Sequence, residues 1–310
     1  MALRAHTRGG PETLVYETAP KPVAGPDEVV VRVASAAITF AELGWDETWT
    51  RDGHDRTPII PSHEVSGVID ELGSGVDDFV IGDEVYGLTP FDWDGAAADF
   101  VVVPARVLAR KPTTIGHTEA STVPMAALTA WQALTVHGSV GAGDRVLVHG
   151  GAGGVGVFAV QLGKSLGAQV TATVRSRDIQ FARELGADRV RDFEADDFTD
   201  DGAIYDLVID TVGGTILDRS YSVVRPGGRL ITLQDSPSEE KAAEFGITAL
   251  FFLVTSDRKQ LDELANRIDA GTLRTIVANT FALEDGRQAY ASGAVHPRPP
   301  GKTVLVVNGS

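Results

Sequence analysis

The segment Arg145–Gly156, RVLVHGGAGGVG, constrains this chain more than any other stretch of its 310 residues. A buried-strand pattern, Arg145–His149, runs straight into Gly151-x-Gly153-x-x-Gly156, and an apolar, helix-patterned segment follows over Gly153–Leu166. Glycines at this spacing permit a tight turn, let the backbone approach a pyrophosphate, and let the helix pack closely on the strand. The helix N-terminus then offers N–H groups and a positive dipole end to phosphate. A glycine-rich turn without a ligand is the plainer alternative, and the strand–loop–helix context argues against it. Gly151, Gly153, Gly154, Val155 and Gly156 are therefore the expected phosphate cradle.

The alternation continues downstream. Strands are expected at Gln169–Val174, Arg189–Asp192, Leu207–Asp210, Arg229–Leu233 and Leu250–Val254. Helices are expected at Ser176–Leu185, closed by Gly186, and at Arg258–Ala270. That rhythm predicts an α/β, doubly wound parallel sheet of the Rossmann type. The first 110 residues lack it: Glu28–Val33, Glu64–Ile69, Glu84–Gly87 and Ala98–Val103 are short β-rich runs between Gly, Pro and Asp clusters, which point to an antiparallel, barrel-like domain. Between the two textures, Thr118–Val136 reads as one Ala-rich helix with Thr118 as N-cap and Pro124 distorting its first turns. The β-like tail, Thr275–Ala282 and Thr303–Val307, most simply returns to the first domain. The expected division is residues 1–120 with 272–310, and 121–271.

The end of the second Rossmann strand selects the cofactor. An NAD enzyme usually places Asp or Glu there, about 20 residues beyond the glycines, to bind ribose hydroxyls. This chain has Arg175-Ser176-Arg177 instead. A guanidinium grips a 2′-phosphate bidentately and a serine hydroxyl donates to it, so NADPH is expected. A solvated loop with two arginines is the alternative, but cations at a helix start oppose its dipole unless an anion sits there.

Composition closes off other classes. With no cysteine there is no disulfide framework, iron–sulfur cluster, thiolate zinc site or cysteine nucleophile. A net charge of −16 disfavours nucleic acid as a partner. The apolar run Ile247–Val254 falls far short of the roughly 20 residues of a membrane span, and the N-terminal MALRAHTRGGPE has no apolar core of a signal peptide. A cytoplasmic protein is expected.

Seven segments together are more specific than the glycine loop: GGPETLVYE near the start, PSHEVSG (61–67), GDEVYG (82–87), MAALTAWQA (125–133), DRVLVHGGAGGVG, DTVGG (210–214) and RPGGRL (225–230). On these the chain resembles, over nearly its full length, the medium-chain dehydrogenase/reductase superfamily and its zinc-independent quinone oxidoreductase, zeta-crystallin-like branch. The resemblance implies a GroES-like β-barrel catalytic domain built from both chain ends, a Rossmann NADP-binding domain between them, and a homodimer. Zinc-dependent relatives bind catalytic metal through a Cys, the His-Glu of a GHE motif, and a later Cys. Here the first position corresponds to Thr39 and the third to about Met125, so only His63 and Glu64 remain, which cannot complete a three-ligand catalytic set. A structural hydrogen-bonding pair is the favoured reading of His63-Glu64, and no metal is expected.

The resemblance also places Thr129 beside the nicotinamide and puts Thr39 where an Asn is common. It sets Trp45 and Trp49 in the region that faces substrate, with ordinary packing an equal alternative. Thr211, Val212, Leu233 and Gln234 lie at strand ends where cofactor binds. Phe251, Phe252 and Val254 are placed toward the carboxamide, with a core or dimer strand an equal alternative, and Lys302 matches a C-terminal Gly-Lys, with an exposed lysine an equal alternative. Without a Lewis acid, acceptors that delocalise charge are favoured, namely quinones and α,β-unsaturated carbonyls. An aldehyde or ketone reductase and a noncatalytic NADPH-binding protein are the alternatives.

Overall fold

A computed structural model describes residues 1–307. The described residues divide into two compact units: Met1–Met125, Ser256–Gly271 and residues 275–307 form one, and Ala126–Thr255 with Thr272–Arg274 form the other.

The first unit is organised by one long strand, Glu28–Ala37, whose alternate apolar residues Val29, Val31 and Val33 enter a core with Val65, Ile69, Phe79, Val85, Val101 and Val103. Seven strands join its sheet, in the order Val277–Ala282, Lys302–Val306, Glu28–Ala37, Glu64–Leu72, Glu84–Leu88 and Leu108–Arg110, with Phe100–Pro104 pairing Glu28–Ala37 as well. Pairing is antiparallel except between Val277–Ala282 and Lys302–Val306. Two register irregularities opposite Glu64–Leu72, at Val30/Val31 and Val33/Ser35, bend the long strand as β-bulges do in barrels. The tail returns to this unit's sheet, where Val304 pairs with Ala37. That pairing brings Lys302, the first residue of the last strand, to the end of the strand that leads into Thr39.

The second unit is a six-stranded, all-parallel sheet in the order Arg189–Asp192, Gln169–Val174, Arg145–His149, Tyr205–Asp210, Val224–Thr232, Thr248–Phe251. Numbered along the chain this is 3-2-1-4-5-6, the Rossmann order. The helix after the glycine loop spans Gly156–Ser165 and buries Val157, Phe158, Ala159, Val160 and Leu162.

Three expectations need correction. The single helix over Thr118–Val136 is three segments: His117–Ala120, Pro124–Gln132, and a π-type turn at Ala133–His137. Proline lacks an N–H, so Pro124 starts a helix rather than bending one, and the first segment is capped at Gly116, which puts Thr118 inside it. The last Rossmann strand is Thr248–Phe251, so Phe252 and Val254 lie beyond it. Arg258–Asp269 is a helix as expected but belongs to the first unit, not to a 121–271 domain. It buries Leu261, Leu264 and Ile268; Arg258 Nε donates to Leu108 O (2.7 Å), Tyr86 OH to Leu261 O (2.6 Å), and Asp269 accepts from the backbone N–H groups of Thr113 and Thr114. No helix among the described residues is long and apolar enough to cross a membrane.

Candidate functional site

In the second unit the glycine loop is held by sterics that only glycine meets. A Cβ at Gly156 would stand 2.0 Å from Gly150 O, and one at Gly151 would stand 2.8 Å from the Ala172 Cβ. Gly150 itself takes φ +73°, a conformation L side chains rarely adopt. The loop therefore lies directly on the sheet and delivers the N-terminus of the Gly156–Ser165 helix to its carboxyl edge. A dinucleotide pyrophosphate fits this cradle.

The neighbouring strand ends complete that edge. Thr211 Oγ1 donates to His149 O (2.8 Å), and the buried Asp210 carboxylate accepts from the N–H groups of Val212 (2.9 Å) and Gly213 (3.1 Å), which fixes the turn and leaves Val212 half exposed. Burial raises the Asp210 carboxyl above its ordinary range, with those two N–H bonds opposing the rise. Leu233 N–H donates to Asp210 O (3.0 Å), and Gln234 is exposed beside it. Thr129 is almost buried in its helix. Phe251 is exposed, while the Phe252 ring lies 4.3 Å, centroid to centroid, from that of His137.

Arg175, Ser176 and Arg177 follow the strand Gln169–Val174 as expected, but two of them have company that the sequence did not announce. Val174 and Asp192 are register partners on adjacent parallel strands, so the residues after each strand end meet. Arg175 Nη1 donates to Glu194 Oε1 (3.3 Å) and its guanidinium carbon lies 5.3 Å from the Phe193 ring centroid. Ser176 Oγ donates to the Asp192 carboxylate. Arg177 Nε is 3.5 Å from Asp178.

The first unit holds a buried polar cluster. Glu42, fully buried, accepts from Tyr290 OH, from Thr39 N–H (3.2 Å) and from Ser62 N–H (3.1 Å). His63 Nε2 lies 4.0 Å from Glu42 Oε2, its Nδ1 is 2.9 Å from Thr89 Oγ1, and the Phe91 edge meets its ring at 5.3 Å. Burial pushes the Glu42 carboxyl up to about 7, against the lowering effect of its hydrogen bonds and of Lys302. Burial, with Arg56 adding to it, pushes His63 down to about 3, so the imidazole is neutral and the two do not form an ion pair. Lys302 Nζ stands 2.5 Å from Glu64 Oε2 and donates to Thr39 Oγ1 (2.9 Å); the other Glu64 oxygen accepts from Met125 N–H (3.0 Å).

A catalytic zinc does not fit these donors. Thr39 offers a hydroxyl and Met125 a thioether in place of thiolates, and the Glu64 carboxylate is neutralised by an ammonium. Among the described residues no three His, Asp or Glu come together in a metal-binding group.

Of the two indoles, Trp45 is partly exposed and meets Phe91 edge-on at 5.5 Å. Trp49 is 2% exposed, packs in a core with Leu3, Ile38, Ile59 and Tyr290, and donates from Nε1 to Leu43 O (2.8 Å); it is core and not a substrate face. Sequence reasoning missed Glu42, Tyr290, Asp192 and Glu194. The signals were a carboxylate three residues after Thr39 and an acidic end on the strand adjacent to the Arg175 strand.

The fold and the glycine cradle define a dinucleotide-binding α/β protein with an attached β-barrel-like unit. Residues 25–113 match the alcohol dehydrogenase GroES-like domain and residues 185–305 the zinc-binding dehydrogenase family. The chain is 30% identical to the mitochondrial NAD(P)H oxidoreductase RTN4IP1 of Danio rerio over 91% of its own length and 84% of that protein's. It is 28% identical to the chloroplastic NADPH-dependent alkenal/one oxidoreductase of Arabidopsis thaliana, over 88% and 73% of the two chains. The quinone oxidoreductase structure from Coxiella burnetii superposes with a TM-score of 0.90 at 27% identity, covering 99% of each chain. The chain belongs to the medium-chain dehydrogenase/reductase superfamily of oxidoreductases that use a nicotinamide cofactor.

Proposed function

We propose that this chain is a zinc-independent reductase that passes hydride from NADPH to quinones or α,β-unsaturated carbonyls. The observation that supports zinc-independence is the Lys302–Glu64–Thr39 arrangement, in which an ammonium engages the two side chains that the resemblance sets at metal-ligand positions. The nicotinamide supplies the hydride when bound. The glycine loop and helix N-terminus hold the pyrophosphate, and Arg175 with Ser176 and Arg177 receives the 2′-phosphate. Lys302 donates to Thr39 Oγ1, so the Thr39 hydroxyl proton, otherwise held only by the weak acceptor Met125 Sδ at 3.4 Å, is available to an oxyanion. A hydroxyl polarised by a neighbouring ammonium stabilises a developing enolate or hydroquinone oxygen, and such acceptors need less help than a simple alkoxide. The quinone and alkenal/one oxidoreductases among the relatives favour the same acceptors.

Titration with both cofactors tests the nucleotide half: Arg175→Ala is expected to weaken NADPH binding about tenfold and to leave NADH nearly unchanged. Equal losses for both remove the 2′-phosphate assignment. A panel of phenanthrenequinone, an enone and a simple ketone tests the acceptor half; turnover of the ketone alone would favour a carbonyl reductase, and none at all a noncatalytic NADPH-binding protein. A homodimer and a cytoplasmic location are part of the same proposal, checked by light scattering and by fractionation of the source cells.

A further inference from the structure

We propose that Asp192 and Glu194 restrain the preference for NADPH, so that the chain accepts both nicotinamide cofactors. The inference rests on the reading that Arg175 and Ser176 receive the 2′-phosphate. Both groups are already engaged by carboxylates of the next strand end: Ser176 Oγ donates to Asp192 and lies 3.4 Å from Glu194 Oε2, while Arg175 donates to Glu194 Oε1 at 3.3 Å. The carboxylates are themselves held in place. Asp192 Oδ1 accepts from Glu194 N–H (3.0 Å), Asp192 N–H donates to Asp196 Oδ2 (3.0 Å), and Phe193 N–H is tied to Val174 O (3.1 Å).

A 2′-phosphate arriving here carries close to two negative charges and competes with two carboxylates for the Arg175 guanidinium and the Ser176 hydroxyl. Each displaced carboxylate then faces it as a like charge within a few ångströms, well inside the screening length. A ribose with a free 2′-hydroxyl meets no such opposition, because a hydroxyl donates to a carboxylate. Phe193 adds a face on which the Arg175 guanidinium rests, so displacing Glu194 does not release the arginine from the site. The acidic residues therefore subtract from NADPH affinity while sparing NADH.

Isothermal titration of the full chain with NADPH and with NADH, without acceptor, reads this directly. The wild type is expected to favour NADPH by about tenfold or less. Glu194→Gln is expected to tighten NADPH about fivefold and to leave NADH within about twofold, with the gain shrinking as salt rises. Asp192→Asn, which keeps an acceptor for the Glu194 N–H, is expected to tighten NADPH about threefold and to weaken NADH. If neither variant changes the NADPH-to-NADH ratio while Arg175→Ala still lowers NADPH selectively, the restraint is wrong and the phosphate site stands. If Arg175→Ala lowers both cofactors equally, the phosphate site is wrong and the restraint goes with it.

Discussion

In the first unit Glu42, His63, Glu64 and Lys302 are all buried, and each is fixed by partners that arrive from distant parts of the sequence. In the second unit Arg175, Asp192 and Glu194 lie at the open ends of adjacent strands, paired with one another but within reach of water. Burial decides what each set can do. A charge removed from water costs several kcal/mol unless it is matched, so the first cluster shifts its proton affinities and tolerates few substitutions. Charges at a surface exchange partners at little cost, so the second set suits a ligand that comes and goes.

The largest test of this contrast is Lys302→Met. It would leave the Glu64 carboxylate buried without its ammonium, and removing one partner of a buried pair costs about 3–5 kcal/mol. Urea unfolding should show that loss, and Lys302→Met combined with Glu64→Gln should recover most of it. A loss under about 1 kcal/mol would mean that the pair is effectively solvated, and the contrast between the units would fail.

Glu42→Gln comes next, and its effect is pH-dependent. The Glu42 carboxyl titrates near 4.5 when unfolded and at about 7 when folded. Below the lower value both states hold the proton and the carboxyl carries no penalty; as pH rises from there through the upper value the unfolded chain releases it more readily, and stability falls by about 3 kcal/mol. Gln cannot ionise, so the variant should gain on the wild type by about that amount between pH 4.5 and 8, measured as the difference in unfolding free energy. His63 works in the opposite direction: its folded value of about 3 lies below the ordinary 6.5, so the stability of the neutral ring is present above pH 6.5 and is lost as pH falls toward 3. His149, buried between Thr173 Oγ1 and Ser220 Oγ in the second unit, behaves likewise. His63 and His149 together outweigh Glu42, so these three groups make net destabilisation on acidification the expected outcome for the wild type.

The same contrast explains what could be read from the sequence. The parallel sheet was legible because each strand is a short apolar run in a regular strand–helix alternation, and the glycine loop declared its own sterics. The first unit's cluster was not, because Tyr290 lies 248 residues from the Glu42 that accepts its hydrogen bond. Lys302 was picked out by resemblance alone, and its partners Thr39 and Glu64 became visible only when the last strand paired with Glu28–Ala37. Trp49 was set by the resemblance in the region that faces substrate, but it takes the packing alternative, with Leu43 O satisfying its N–H inside the core. At the end of the Gln169–Val174 strand Arg175 was legible, but its acidic neighbours required knowing that Val174 and Asp192 lie side by side.

The smallest expected effect is the most discriminating. The Arg175–Glu194 pair has side chains 36% and 48% exposed, and exposed pairs contribute about 0.2–1 kcal/mol. Arg175→Ala and Glu194→Gln should each therefore shift unfolding by no more than a few tenths of a kcal/mol, and the thermal midpoint by about 1–2 °C. Both variants are nevertheless expected to change NADPH affinity, in opposite directions. A large loss of stability in either would place this pair in the structural class of Lys302 and Glu64. Near-wild-type stability with altered NADPH binding would show that its charge is held in reserve for a ligand.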